Sequence, residues 1–417
     1  MTLTLSEDER RIAAGSDGAA MAMRIVAESG RLLGAERLIP IASAHIDGAL
    51  YHGDSGTLFA ERLVEGSAKV AVRATLNVGA LDLTGSCRVR LAEHERAMAR
   101  RMMRAYRALG CEPTWTCAPY QAGHRPREGE DVAWGESNAV AFCNSVLGAR
   151  TNRYGDFLDI ACAIAGRAPD CGLHRTENRR ARIIVDVSAL PASFLNSEIA
   201  WPVLGSLYGR LAGDAVGAVT GIERHPGEDA LKAFGAAAAS SGAVGLFHIV
   251  GVTPEAPDIA TATGGMAPAE TIAATAEMVA DSLRRLSTAE GSDRLDAVAL
   301  GSPHFSLDEF AALERHLAGR GLKVPLYACT GRHVLDVLEK SGKRQALENA
   351  GVTIVADTCV VVTPVMAELA GGVLMTNSGK FAHYAPGNTG YRVLYASLAD
   401  CVASAVAGRP IIRDTVS

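Results

Sequence analysis

The 417-residue chain lacks several features whose absence narrows what it can do. No stretch of about 18 uninterrupted apolar residues occurs, so nothing in it reads as a membrane-spanning helix. The amino terminus, MTLTLSEDERRIAAGSDG, becomes charged within seven residues and has no apolar signal-peptide core, which predicts a cytoplasmic protein. Positive charge is not in excess. At a net charge of −5 there is no electrostatic case for nucleic acid or an anionic membrane, and a small-molecule partner is expected. The nine cysteines are odd in number and contain no CxxC pair, and nothing in the sequence reads as a secretory signal, which argues against a disulfide framework and predicts reduced thiols. No GxGxxG follows a strand pattern, and the pair Gly264 and Gly265 has neither the strand, the helix start nor the lysine of a phosphate-binding loop. Nucleotide binding has no support, and tandem repeats and low-complexity tracts are missing too.

What remains is ordinary globular sequence, 48% hydrophobic and 21% charged, and too long for one core. Strand-like and helix-like periods alternate almost throughout, the pattern of a multi-domain α/β protein with mostly parallel sheets. Three units are predicted, over residues 1–180, 181–290 and 291–417. In the first, RLIPIASAH, KVAVRATLN and PTWTC end at His45, Asn77 and Cys117. A long helix runs from about Leu91 to Leu109, with Met98, Met102, Ala105 and Leu109 on one face and arginines on another, an amphipathic surface helix rather than a nucleic-acid-binding one. In the second, ARIIVDVSAL, DAVGAVTGI and GAVGLFHIVG are the strand candidates. The third contains LDAVALGSPH, KVPLYACT, VTIVADTCVV and GGVLMTNSGK, with a capping box at Ser306 and Glu309 opening a helix.

Parallel sheets deliver chemistry at the carboxyl ends of their strands. Cys117, Cys329 and Cys359 each close a strand-like run, so three thiols from remote segments can meet at one point and hold a metal. The competing reading is that each thiol merely fills space, since free cysteine is among the most buried residue types. Packing is the better reading for Cys143 and Cys401, which lie on apolar helical stripes, and for Cys162; Cys87, Cys111 and Cys171 sit in loop-like or edge sequence and receive no role. For the three strand-end thiols the residues alone leave both readings open.

The stretches AHIDGALYHGDSG, VAVRATLNVGALD, TCAPY, WGESNAVAFCNSVLGARTNRYGD, HIVGVTPEAP, YACTGR, DTCVVVTP and TNSGKFAHYAPG, spread from about residue 40 to residue 390, resemble the large subunit of the aconitase X family. The resemblance implies aconitase-like three-layer α/β/α units and iron held by Cys117, Cys329 and Cys359, as an iron-sulfur cluster (2Fe-2S or 4Fe-4S) or as mononuclear iron. It also implies a hydro-lyase in which iron assists the departure of a hydroxyl group. Ser137 and Asn138, in the ESN run, are read either as the N-cap of the following helix or as substrate contacts at its free N–H groups. Arg150, Thr151 and Asn152 follow that helix; Arg150 is favoured by the resemblance as a carboxylate contact, against a plain helix-dipole role in the last turn. By strand-end position and motif membership, His45, Asn77 and Ser378 join the substrate-binding candidates, and Ser302, His304 and Lys380 the catalytic ones. His304 is weighed as an acid/base group against a local hydrogen-bonding residue.

Family members carry a small swivelling domain that supplies a catalytic serine, in the same chain or as a separate subunit. This sequence leaves no room for it at either end, so a small partner subunit of about 100 to 150 residues is expected. Of the family's activities, dehydration of cis-3-hydroxy-L-proline to Δ1-pyrroline-2-carboxylate is favoured, with mevalonate 5-phosphate as the alternative substrate. The rivals are a metal-free enzyme with one nucleophilic thiol, and a metabolite-binding or assembly subunit without metal.

Overall fold

The computed structural model describes residues 3–85, 89–366 and 371–413, leaving Cys87 outside the described residues. The chain divides into two compact units, one of Met1–Leu81, Leu91–Arg180 and Thr253–Glu255, the other of Asp82–Arg90, Ala181–Val252 and Ala256–Ser417.

The first unit contains strands β1 (Leu38–Pro40), β2 (Ser43–Ile46), β3 (Arg73–Leu76), β4 (Ala133–Trp134) and β5 (Arg167–Pro169). They form a parallel sheet of order β3-β2-β4 and a separate antiparallel pair, β1 with β5. The expected run from residue 37 to 45 is two strands instead of one. Pro40 has no N–H to offer a ladder, and the chain changes partner there. The expected strand ending at Cys117 is not regular. Only Glu112 bridges to Thr75, and Trp115 at φ +45° breaks the extended path, although Thr116 still donates its N–H to the Leu76 carbonyl at 3.2 Å. The amphipathic helix forms over Glu93–Ala108 with Met98, Met102 and Ala105 buried. Cys143, fully buried in the helix Ser137–Ser145, is a core residue as expected.

The second unit holds two all-parallel sheets. Strands β6 (Ile183–Asp186), β7 (Gly217–Thr220), β8 (Phe247–Ile249) and β9 (Glu270–Ala273) run in the order β8-β7-β6-β9. Strands β10 (Ala297–Phe305), β11 (Leu326–Thr330), β12 (Val352–Ala356), β13 (Val373–Thr376) and β14 (Arg392–Tyr395) run in the order β12-β11-β10-β13-β14. From the central β10 the chain winds outward to β12 and then returns to the other side, so the direction of winding reverses between β10 and β13. That reversal opens a crevice at the carboxyl ends of the strands. All nine residues of β10 are buried, and Ala297, Val298, Ala299 and Leu300 give it the continuous apolar run of a strand covered on both faces. Val298, Leu300, Ile354 and Leu394 of this sheet pack with Phe310, Leu313, Leu338 and Cys401 of the surrounding helices. The capping box is present: Glu309 donates its N–H to Ser306 Oγ at 3.1 Å and accepts the Ser306 N–H at 2.8 Å, starting the helix Leu307–Leu317. Among the described residues no helix is long and apolar enough to cross a membrane.

Candidate functional site

In the second unit the site is made by an interruption of β10. Between the pairs Leu300 with Ala328 and Phe305 with Thr330, β10 uses more residues than β11, so residues 301–304 leave the ladder. Gly301, at φ +84°, makes this possible; a Cβ there would collide with the Cys329 carbonyl oxygen. The excursion places Ser302 and His304 beside the ends of β11, β12 and β13. Cys329 is the penultimate residue of β11 and fully buried; Cys359 follows β12 after a reversal at Asp357, whose φ is +63°. The two thiols are hydrogen-bonded to each other, and that contact brings Cys359 down to about 7 against the upward push of burial, with further help from the Val361 N–H, the Lys380 charge and the Ser302 hydroxyl. Cys143, Cys162 and Cys401 behave in the opposite way, burial holding each thiol protonated. Among the described cysteines it is Cys359 whose surroundings favour a thiolate, the form that binds metal.

The loops carrying these thiols are locked together. Arg332 clamps Asp357 with Nε at 2.5 Å and Nη2 at 2.7 Å, and the Leu83 N–H adds a third donor at 3.1 Å. His304 donates Nε2–H to the Thr358 carbonyl at 3.2 Å, one residue before Cys359. Burial depresses His304 to about 3, which makes it a neutral donor here and favours the local hydrogen-bonding role weighed for it over the acid/base one. Ser378 caps the helix Gly379–Thr389 by accepting the Phe381 N–H at 2.9 Å, and its hydroxyl donates to the Ser302 carbonyl. Lys380 stands in the first turn of that helix.

Beside these residues lies a cleft of about 280 Å³ lined by Glu198, Trp201, Lys232, Ser302, Ser378 and Lys380, among others. Glu198 and Trp201 follow β6, Lys232 follows β7, Ser302 belongs to the β10 excursion and Lys380 follows β13. Both sheets of the unit therefore turn carboxyl-end segments toward one small cavity, the place where α/β proteins bind ligands.

The first unit has its own polar face. His45 in β2 is paired in register with Thr75 in β3 and with Trp134 in β4. His45 Nδ1 lies 2.9 Å from Thr75 Oγ1, which lies 2.7 Å from His124 Nδ1, whose Nε2 lies 2.8 Å from Ser43 Oγ. Burial keeps both rings neutral, His45 well below the usual histidine range and His124 at about 4. Asn77 donates to Asp47 Oδ1. The buried Asp159 accepts the N–H groups of Asp47 at 2.7 Å and Gly48 at 3.1 Å, yet burial raises its carboxyl to about 8. His45 Nε2, Asn77 Oδ1 and Arg150 Nε are buried without a protein partner among the described residues. Orphaned polar atoms of this kind mark places where a ligand can complete the hydrogen bonding.

Other expectations change in detail. Neither Ser137 nor Asn138 caps its helix: Glu136 does, accepting the Ala139 N–H at 2.7 Å, where a carboxylate also suits the positive helix end. Asn138 Nδ2 instead donates to the Cys117 carbonyl at 3.0 Å and the Tyr120 hydroxyl at 3.1 Å, tying the helix start to the bend that carries Cys117. Arg150 is not in the last helical turn; it lies beyond the helix, bridges to Asp131, and donates Nη1–H to the His174 carbonyl at 3.1 Å. Thr151 and Asn152 are engaged locally, Thr151 Oγ1 with the Trp134 N–H and the Asn152 carbonyl, Asn152 with the Cys171 carbonyl and the Leu173 N–H. Sequence reasoning missed Thr75, His124, Asp159, Arg332 and Asp357. The last two flank the cysteines within YACTGR and DTC, and that adjacency was the available signal.

Among the described residues no three Cys, His or carboxylate side chains gather as a metal-holding group; Cys329 and Cys359 come from the second unit and the buried Cys117 from the first. The donor chemistry nevertheless suits iron: two adjoining buried thiols, one readily deprotonated, beside a lysine.

Family models for the aconitase X first, second and third domains match residues 2–177, 181–284 and 295–407. A cis-3-hydroxy-L-proline dehydratase of Pseudomonas aeruginosa is 44% identical over 411 residues, covering 96% of this chain and 70% of that protein. The phosphomevalonate dehydratase large subunit of Methanothermobacter thermautotrophicus is 38% identical over 395 residues, covering 94% and 96% respectively. The crystal structure of Thermococcus kodakaraensis aconitase X in its holo-form superposes with a TM-score of 0.86 at 32% identity, over 97% of this chain and 100% of that one.

Proposed function

The chain belongs to the aconitase X family, and from that premise we propose that it is the large catalytic subunit of an iron-dependent hydro-lyase acting on cis-3-hydroxy-L-proline. The observation that carries the reading is the pair Cys329 and Cys359, the second held near thiolate by the first and by Lys380 and Ser302, two residues that also line a metabolite-sized cleft. The 44% identity to a cis-3-hydroxy-L-proline dehydratase supports this substrate over the phosphomevalonate named for the more distant relatives.

In this reading Cys117, Cys329 and Cys359 hold iron, as a cluster or a single ion; of the parts 1–180, 181–290 and 291–417 that we take as the domains of the chain, the first supplies Cys117 and the last the other two. Bound iron supplies Lewis acidity toward the leaving hydroxyl. The protein's own residues do the rest. Lys380 and the N–H groups at the start of its helix attract the substrate carboxylate, and Ser302 and Ser378 hold the strand ends in place. His304 positions the Cys359 loop through Thr358. His45, Asn77, Ser137 and Arg150 offer substrate contacts from the first unit, where three of them carry unsatisfied polar atoms; Asn138, Thr151 and Asn152 hold the backbone around them. A base removes the C2 proton, hydroxide leaves from C3 and combines with a proton as water, and the enamine tautomerises to Δ1-pyrroline-2-carboxylate. We assign the base to a serine of a small swivelling partner subunit. That the archaeal relatives are large subunits by name supports such a partner.

The test is anaerobic co-purification with that small subunit, followed by iron and sulfide analysis and an assay for pyrroline-2-carboxylate. Iron with turnover supports the reading, and sulfide content separates a cluster from a lone ion. Serine substitutions of Cys117, Cys329 and Cys359 should each remove iron and activity together, whereas Cys143→Ser retains both. Loss of activity from a single cysteine with no iron in the wild type would instead indicate a nucleophilic thiol.

A further inference from the structure

The hydrogen bonds on one face of the β3-β2-β4 sheet form a chain with a direction. Ser43 Oγ meets His124 Nε2 at 2.8 Å, His124 Nδ1 meets Thr75 Oγ1 at 2.7 Å, and Thr75 Oγ1 meets His45 Nδ1 at 2.9 Å. The chain starts on the first residue of β2 and ends two residues later on His45 Nε2, which is buried without a partner among the described residues. Trp134, in register with His45, packs against both rings, with centroids 5.6 Å from His45 and 5.0 Å from His124.

Burial keeps both imidazoles neutral, so each carries one ring hydrogen. Thr75 has a single hydroxyl hydrogen for two neighbouring Nδ1 atoms, so one of these nitrogens brings its own hydrogen and the other accepts. Two arrangements satisfy every contact. In the first, His45 Nδ1 donates to Thr75, Thr75 to His124 Nδ1, and His124 Nε2 to Ser43, which leaves His45 Nε2 bare. In the second all three bonds are reversed and His45 Nε2 carries an N–H that nothing receives. The first places the unused hydrogen on Ser43, which is 7% exposed, and not on His45, which is fully buried. The Thr75 backbone also draws a hydrogen onto the His45 ring, and with Nε2 unpartnered that hydrogen belongs on Nδ1.

Two more atoms of this face are buried without a partner among the described residues. Asn77 gives Nδ2 to Asp47 and keeps Oδ1 as an acceptor, and Trp134 Nε1 keeps its hydrogen. Alternation along the strands puts residues 45, 75 and 77 on one side of the sheet, and the ring contact puts Trp134 there too. The unpartnered atoms are two acceptors and one donor, none of them charged, a set that suits a neutral group able both to give and to receive a hydrogen bond. We propose that Ser43, acting through His124 and Thr75, fixes His45 Nε2 as an acceptor, and that this face takes an O–H group, either a hydroxyl of the substrate or a held water. Ser43, His124 and Thr75 are positioning residues, since they act on that group only through His45. The ligand half of the inference rests on the reading of His45 as a substrate contact; the direction of the chain does not.

The experiment is nitrogen NMR of the full chain, labelled with 15N-histidine, in complex with its small subunit and kept iron-free so that the ring resonances stay sharp and substrate is not consumed. A ring nitrogen that carries hydrogen resonates well apart from a bare one, so the tautomers are read directly. The wild type should show His45 bare at Nε2 and His124 bare at Nδ1; the reverse pair overturns the proposal without any variant. Ser43→Ala removes the acceptor for His124 Nε2–H and should invert both tautomers, while Ser43→Thr, which keeps the hydroxyl, retains the wild-type pair. Unchanged tautomers in Ser43→Ala overturn the coupling. Cis-3-hydroxy-L-proline and L-proline, which lacks the hydroxyl, then identify the source of the O–H. A shift of His45 Nε2 with the first probe and not the second assigns it to the substrate hydroxyl, and no shift with either assigns it to a held water. An equal shift with L-proline, or appearance of hydrogen on Nε2 with either probe, overturns the O–H assignment. Turnover by the iron-loaded complex is scored separately: its absence, with the tautomers as stated, removes the proposed function and leaves the chain standing, and turnover with the reversed pair does the opposite.

Discussion

Gly301 stands against the backbone of Cys329 with no room for a methyl group between them. The contact makes β10 break step with β11 at a cysteine, and it demands both a left-handed backbone and a missing side chain at one position. Gly301→Ala should therefore destabilise the protein by about 2 kcal/mol or more, through strain and displacement of β11. Urea unfolding reads the first effect, and iron content per chain in anaerobic protein reads the second. A variant with wild-type iron and an unchanged midpoint would remove Gly301 from the site.

His304 is expected to act through its hydrogen bond to Thr358 and not through proton transfer. His304→Ala should lose iron about 10- to 100-fold more readily, the usual cost of removing a group that orients a ligand, while His304→Gln, which keeps an N–H donor, retains most of it. Because burial holds the imidazole neutral down to about pH 3, the limbs of the pH-rate profile of His304→Gln should coincide with those of the wild type. Disappearance of one limb would restore an acid/base role.

Lys232 ties the helix Glu228–Ser241 to the start of the helix Leu307–Leu317. Burial works against its charge, but Glu309 and Asp229 together keep its pKa raised, while burial raises Glu309 in spite of Lys232. Lys232→Met strands two carboxylates and should cost about 3 to 5 kcal/mol. Adding Glu309→Gln should recover part of the loss, and a double-mutant cycle by chemical denaturation measures how much.

His124 makes stability depend on pH in a definite direction. Its folded value of about 4 lies below the ~6.5 of an unfolded histidine, so the unfolded state binds the proton more tightly. The contribution is whole above about pH 6.5 and is lost as the pH falls toward 4, up to about 3 kcal/mol for this one group. His124→Asn should flatten the unfolding free energy between those pH values relative to the wild type. Asp159, raised to about 8 by burial, has the opposite sign: its contribution is whole below about pH 4 and is lost as the pH rises toward 8, so Asp159→Asn should flatten the alkaline side.

The parallel α/β architecture and most of its strands were legible because buried parallel strands read as apolar runs. β9 escaped because its four residues are largely exposed and supply no such run. The segment ending at Cys117 misled because β-rich composition does not reveal a positive φ at Trp115. Cys329 and Cys359 were found by their strand-end positions and by the family resemblance. Arg332, Asp357 and His124 were not, since their importance lies in pairings across 25 or 49 residues that no local pattern encodes. Lys232 was invisible for the same reason, its partner Glu309 standing 77 residues away.

The longest of these reaches joins Leu83 to Asp357, 274 residues apart, and the segment Asp82–Arg90 clusters with the second unit although the first unit surrounds it in the chain. On a ribosome adding about 5 to 20 residues per second, that segment waits roughly 15 to 55 s for the aspartate that will hold it. The loop bearing one thiol of the site is thus fastened by a stretch made long before it, and a nascent chain arrested before residue 357 would have Cys329 in hand but nothing to close around it.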